Sequence, residues 1–170
     1  MNPSRVTAYI GLGSNIGRRA HNMSAALARL RADPLIRISE VSRVYETSPI
    51  GPRQRNFLNA VVCIRTAHSP KQLLAALQTI EKKLGRKKRV RWGPRIMDMD
   101  LLFYERRVFR SARLTVPHPE FSRRKFVLAP LSDIAPRFRP PGFKQTVRAL
   151  AAQLTDPSQK VKLYVCDLKQ

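Results

Sequence analysis

The apolar positions of this chain change period as they run, from strand-like to helical and back. Residues 5–13, RVTAYIGLG, are apolar into a pair of glycines and predict a buried strand. In 21–32 the apolar residues Met23, Ala26, Leu27 and Leu30 fall on one helical face. Residues 36–47 alternate Ile36, Ile38 and Val44 with polar neighbours, and 56–66, NFLNAVVCIRT, predict a second strand after turn chemistry at Gly51-Pro52. Ser69-Pro70 opens a helix over 71–85, with Leu73, Leu74, Leu77, Ile80 and Leu84 on one face and Gly85 at its end. Residues 95–104, RIMDMDLLFY, predict a further strand.

This β-α-β-β-α-β order is that of a ferredoxin-like α/β fold, an antiparallel sheet with helices packed on it. From about Val108 the pattern adds C-terminal pieces: the proline-punctuated FVLAPLSDIAP, a helix near 145–154 and a short strand at 160–166. Without a repeat, a low-complexity tract or a linker, residues 1–170 read as one domain, long enough to bury a proper core.

Composition narrows the setting. Cys63 and Cys166 are the only cysteines, too few for a disulfide framework, and Cys63 sits in the apolar AVVCI. The N-terminus lacks a signal-peptide pattern, and nothing approaches the roughly 18 consecutive apolar residues of a spanning helix. The expectation is a soluble, cytoplasmic protein in a reducing compartment. Charge is the strongest global feature: 33 Lys and Arg against 11 Asp and Glu give a formal +22. Nucleic acid, anionic membranes and polyphosphate ligands all answer that Coulomb field.

Two glycine- and acid-bearing stretches carry candidate chemistry. GLGSNIG (11–17) spaces its glycines as G-x-G-x-x-x-G, with no acid about 20 residues on and no Gly-Lys-Ser/Thr, which excludes a dinucleotide fingerprint and a P-loop. It reads as a tight strand-to-helix turn with Ser14 or Asn15 as the cap. Asp98 and Asp100, two apart on a strand, share a face about 7 Å from each other, while Met97, Met99 and Leu101 take the opposite face. Such a pair needs positive charge between its members, supplied by Arg or Lys or by Mg²⁺, which takes one or two carboxylates plus substrate phosphates.

GRKKRVRWGPR (85–95) stacks basic residues directly before that pair. Such a run is a solvated loop or a nucleic-acid contact, but Gly93-Pro94 turns Arg95 toward the acidic strand, an arrangement that suits phosphoryl transfer. Trp92, the only tryptophan, adds a flat face. His118 is either structural or, held neutral near arginines, a hydrogen-bonding partner for phosphate or ribose. His21 and His68 have no evident partners for a Ser/His/Asp set, and no zinc spacing is present. An RNA-recognition module shares the element order, but no strand carries its aromatic signature.

RWGPRIMDMDLL closely resembles the signature of the 6-hydroxymethyl-7,8-dihydropterin pyrophosphokinases, and YIGLGSNIG, TSPIGP, FLNAVV, QTIEKKLGR and LTVPHP resemble further blocks in family order, over about Ala8 to Pro136. The resemblance implies a ferredoxin-like fold and transfer of an intact diphosphate from ATP to the pterin, leaving AMP, within folate biosynthesis. It implies two Mg²⁺ on Asp98 and Asp100, Arg86 and Arg95 approaching the phosphates, and Asp98 orienting or deprotonating the hydroxymethyl oxygen. Gln78, Glu81, Lys88, Arg91, Trp92, Leu101, Arg113, Thr115, His118 and Arg124 are implied for the nucleotide side. The pterin is implied between Phe57 and Phe126, read by Asn59 and backbone near Thr47, Ser48 and Ile50. A monomer acting on small molecules is expected, with no membrane and no specific nucleic acid, and with the 85–95 loop closing over ATP. Lys88 stands for an arginine, Ser48 for a proline and Pro119 for a tyrosine found in some members; the second substitution is expected to loosen the pterin-side loop.

Overall fold

The computed structural model describes residues 4–86, 93–166 and 168. Strand β1 (Val6–Ser14) leads into helix α1 (Arg19–Arg31), then β2 (Ile36–Val41), β3 (Val44–Thr47), β4 (Phe57–Thr66), helix α2 (Pro70–Lys83) and β5 (Asp98–Tyr104). The sheet runs β5-β1-β4-β3, with β2 beside the other half of β4 and every pairing antiparallel. This is the ferredoxin-like order expected from the alternation of elements.

The expected strand 36–47 is divided at Ser42, whose hydroxyl accepts the Val61 N–H at 2.8 Å and so takes a backbone position in the ladder. Ser69 caps α2 as expected, in a reciprocal capping box with Gln72. Leu73, Leu77, Met23, Leu27 and Leu30 are fully buried where α1 and α2 cover one sheet face, each contributing about 1.5–3 kcal/mol. His68 does have a partner: its Nε2 lies 2.8 Å from Asp33 Oδ2, joining two loops.

Beyond β5 a small hairpin, β6 (Phe109–Arg110) and β7 (Thr115–Val116), precedes a 3-10 turn at Phe121–Arg123 and helix α3 (Lys125–Ile134). That last helix falls on the segment read as merely proline-punctuated. Pro130 lies inside it and has no N–H to donate, yet Val127, Leu128 and Leu131 bury against Val61, Leu102 and Phe103 on the second sheet face. Packing outweighs one missing bond. Helix α4 (Val147–Gln153) completes this layer, and β8 (Val161–Tyr164) pairs with β3 at the sheet edge. Among the described residues no helix is long and apolar enough to cross a membrane.

Candidate active site

The α3 face of the sheet is left uncovered at one end, where a cleft of about 370 Å³ opens. Its floor is made by bare backbone. Gly11 pairs with Val61 and Asp100, and Gly13 with Asn59 and Asp98. A Cβ on Gly13 would stand 3.0 Å from Asn59 Oδ1, so glycine keeps the floor low. Both glycines lie in β1, as the strand expected over 5–13 requires, and the turn expected of GLGSNIG begins only after Ser14, with Gly17 at φ 63°.

The cap expected from Ser14 or Asn15 is absent: α1 begins after Arg18 with no side-chain cap. Asn15 instead joins three loops. Its Nδ2 donates to Gln54 Oε1 at 2.9 Å and to the Arg55 carbonyl at 3.0 Å, and its Oδ1 accepts the Arg95 N–H at 2.7 Å. Only 2% exposed, it is better bonded here than it could be at a helix end.

Strand alternation places the acids as expected. Asp98 and Asp100 face the cleft while Met97, Met99 and Leu101 are buried under α1 and α2. An irregularity in the β1–β5 register at Tyr9/Ile10 then turns both Leu102 and Phe103 into the α3 layer, ending the acid-bearing face. Asp98 Oδ1 lies 3.0 Å from Arg86 and 3.2 Å from Arg95, so the two arginines bracket it. Burial and then the neighbouring Asp98 charge push the Asp100 carboxyl up to about 6, against the pull of Arg124, Arg95 and Arg86.

Behind the acids sits Glu81, 3% exposed. It accepts the Met99 N–H at 2.7 Å and forms an ion pair with Arg86, and burial pushes its carboxyl up to about 7. It holds the strand and the arginine from the rear. His118 lines the cleft, and burial, then Arg124, depresses its imidazole to about 4. The neutrality expected of it holds, with burial the larger cause. Its Nδ1 accepts the Glu120 N–H at 3.2 Å, which leaves the proton on Nε2.

Thr47, Ser48, Ile50, Phe57, Asn59, Arg86, Arg95, Asp98, Asp100, His118, Arg124 and Phe126 therefore meet around one cleft. Gln78 and Thr115 are exposed away from its lining, as is Arg113, and the Leu101 side chain is in the core. Lys88, Arg91 and Trp92 lie outside the described residues, as does most of the 85–95 loop. Gln54 was missed, as was the part of Gly11 and Gly13 in lining the cleft; the apolar run into GLG marks them as strand but does not say which ligand-facing wall they form. Ser48 contradicts its expected effect. Its N–H donates to the Lys160 carbonyl at 3.0 Å, and its Oγ accepts the Lys160 N–H at 2.9 Å and donates to the Ser158 carbonyl at 3.0 Å. A proline could make none of these bonds, so serine fastens the loop.

Among the described residues no group of three or more His, Cys, Asp or Glu gathers to hold a metal. Two carboxylates on an open glycine floor nevertheless fit Mg²⁺, which keeps waters and draws remaining ligands from phosphate oxygens. Paired acids, bracketing arginines and two phenylalanines around one cleft are the equipment of a phosphoryl-transfer enzyme that also grips a flat ring.

Comparison with known proteins makes the class specific. Residues 9–136 match the 7,8-dihydro-6-hydroxymethylpterin-pyrophosphokinase (HPPK) family, and the chain belongs to it. It is 37% identical over 164 residues to the 2-amino-4-hydroxy-6-hydroxymethyldihydropteridine pyrophosphokinase of Aquifex aeolicus, covering 96% of this chain and 98% of the relative. The Methylorubrum extorquens enzyme of the same name is 45% identical over 152 residues, 89% of this chain and 94% of its own. The corresponding Synechocystis enzyme is 41% identical over 147 residues, 86% and 75% respectively. In structure, the chain is similar to Plasmodium falciparum HPPK-DHPS with SDX-DHP, with TM-score 0.72 and 16% identity over 89% of this chain. It spans 46% of that longer chain, and the likeness is one of fold.

Proposed function

We propose that this chain is an ATP-dependent pyrophosphokinase that transfers diphosphate from ATP to the hydroxymethyl group of 6-hydroxymethyl-7,8-dihydropterin, releasing AMP. The observation that carries the reading is the single cleft shared by Asp98, Asp100, Arg86 and Arg95 on one side and Phe57, Asn59 and Phe126 on the other. The flat pterin stacks between Phe57 and Phe126. Asn59 donates to Thr47 Oγ1 at 2.7 Å, which orients its amide so that Oδ1 remains beside Gly13 for the pterin's polar edge.

Arg86 and Arg95 move from neutralising Asp98 to neutralising the polyphosphate, and neutral His118 offers its Nε2–H to a phosphate oxygen. The hydroxymethyl oxygen attacks the β-phosphorus and its proton passes to a carboxylate of the pair, Asp98 being the one oriented for it. The bond between the β-phosphorus and the oxygen bridging to the α-phosphorus breaks, so AMP leaves. Asp98 and Asp100 would hold two Mg²⁺, which supply charge neutralisation for the phosphates when bound. Gln78, Glu81, Lys88, Arg91, Trp92, Leu101, Arg113, Thr115 and Arg124 complete the proposed nucleotide side, Glu81 acting through Arg86 and Leu101 through its backbone. A single monomeric domain in the cytoplasm is part of the same reading.

The test is direct. Incubation with ATP, Mg²⁺ and the hydroxymethyl dihydropterin is expected to give AMP and the pterin diphosphate. Absence of AMP beside an active control enzyme refutes the assignment.

A further inference from the structure

The helix that carries Arg124 and Phe126 into the cleft has no cap of its own: its N-cap residue, Arg124, makes no side-chain capping hydrogen bond to the first turn. The missing acceptor comes from far along the chain. Gln159 Oε1 accepts the Lys125 N–H at 2.8 Å, and Gln159 Nε2 donates to the Arg123 carbonyl at 2.9 Å and to Asp156 Oδ2 at 3.1 Å. Lys125 Nζ also donates to the Asp156 carbonyl. Asp156 in turn folds its own segment, since its Oδ1 accepts both the N–H and the hydroxyl of Ser158, at 2.9 and 2.7 Å.

The same short segment grips the opposite wall of the cleft. Ser158 and Lys160 hold Ser48 through the three bonds described above, and Val161 continues into the β3–β8 ladder opposite Thr47. Thr47, Ser48 and Ile50 line one side of the cleft, and Arg124 and Phe126 the other. Five consecutive residues therefore tie together two walls that are nearly 80 positions apart in sequence.

We propose that residues 156–160 are a strap that sets the separation of the two walls of the pterin slot, with Gln159 as its positioning residue; this rests on the pterin reading given above. Gln159 touches no reacting group. It fixes the start of α3, and thereby the height of the Phe126 ring over the sheet. Ser48 makes the strap effective on the other wall, because a residue there must offer both an N–H and a hydroxyl. Proline would offer neither.

Gln159→Ala is expected to raise the KM for the dihydropterin about tenfold, the effect of one or two lost hydrogen bonds, with kcat within about twofold and a smaller rise in the KM for ATP through Arg124, the N-cap of the same helix. Gln159→Glu keeps the acceptor for the Lys125 N–H but sets a carboxylate oxygen against the Arg123 carbonyl and Asp156 Oδ2, so it is expected to recover none of the loss. Ser48→Ala should shift the pterin KM in the same direction. Amide hydrogen exchange on the same variants should show lost protection at both 47–50 and 124–128. Equal change in both substrates' KM, a wild-type pterin KM in the glutamate variant, or unaltered exchange at the far wall overturns the strap. A wild-type enzyme inert toward the pterin instead overturns the functional reading, and the exchange measurement still decides the strap.

Discussion

Asp98 and Asp100 differ although they share one strand face. Asp98 is held between Arg86 and Arg95, whereas Asp100 lies deeper and its carboxyl is pushed up to about 6. Asp98→Asn and Asp100→Asn are each expected to cut turnover by a hundredfold to a thousandfold, on the order found when a group aimed at transition-state charge is removed. Melting temperatures should stay close to wild type, and near-normal turnover in either variant refutes its role. His118 and Glu81 give opposite pH effects on stability. The folded-state pKa of His118 is depressed to about 4 from an ordinary 6.5, so its contribution is complete above about pH 6.5 and is lost as pH falls toward 4. Glu81 is raised from 4.5 to about 7, so its contribution is complete below pH 4.5 and is lost as pH rises through 7. Urea unfolding across pH 4–8 should therefore show a shallower acid-side loss in His118→Gln and a shallower loss toward neutrality in Glu81→Gln.

Elements place these residues through departures from regularity. β1 carries glycines where a floor is needed, β5 shifts register after its acids, and β3 is separated from β2 by the Ser42 hydroxyl. The loops are joined chiefly by Asn15, which bonds the β3–β4 loop and the segment entering β5. Asn15→Ala leaves the Arg95 N–H and Arg55 carbonyl without these partners, at an expected cost of about 1–3 kcal/mol in urea unfolding. An unchanged unfolding midpoint would show that water replaces the amide. The periodicity of the sequence made α1, α2 and the long strands legible because each buries one continuous face. Helix α3 was not legible, since Pro130 masks a pattern whose burial partners, Val61, Leu102 and Phe103, come from distant strands. The roles of Asn15 and Ser48 were hidden for the same reason: a polar side chain announces a bond, not its partner.

At the scale of the molecule, a net charge of +22 surrounds a cleft whose proposed donor is a polyanion. Such a field raises the local concentration of ATP and is screened within about 8–10 Å at ordinary salt. The KM for ATP is expected to rise several-fold between about 50 and 300 mM salt, while that for the neutral pterin stays nearly flat. Equal salt dependence for both substrates would assign the charge no part in recruitment.

The sequence by itself determined the element order, the shared face of Asp98 and Asp100 and the family, because period-two and helical spacing and a contiguous motif are local properties. Only the tertiary structure decided that Gly11 and Gly13 form the floor of a cleft, that Glu81 stands behind Arg86, and that Ser48 and the start of α3 bond the same segment, 156–160. Those facts depend on which distant backbone groups are left seeking partners once the sheet has closed, and a linear pattern does not contain that information.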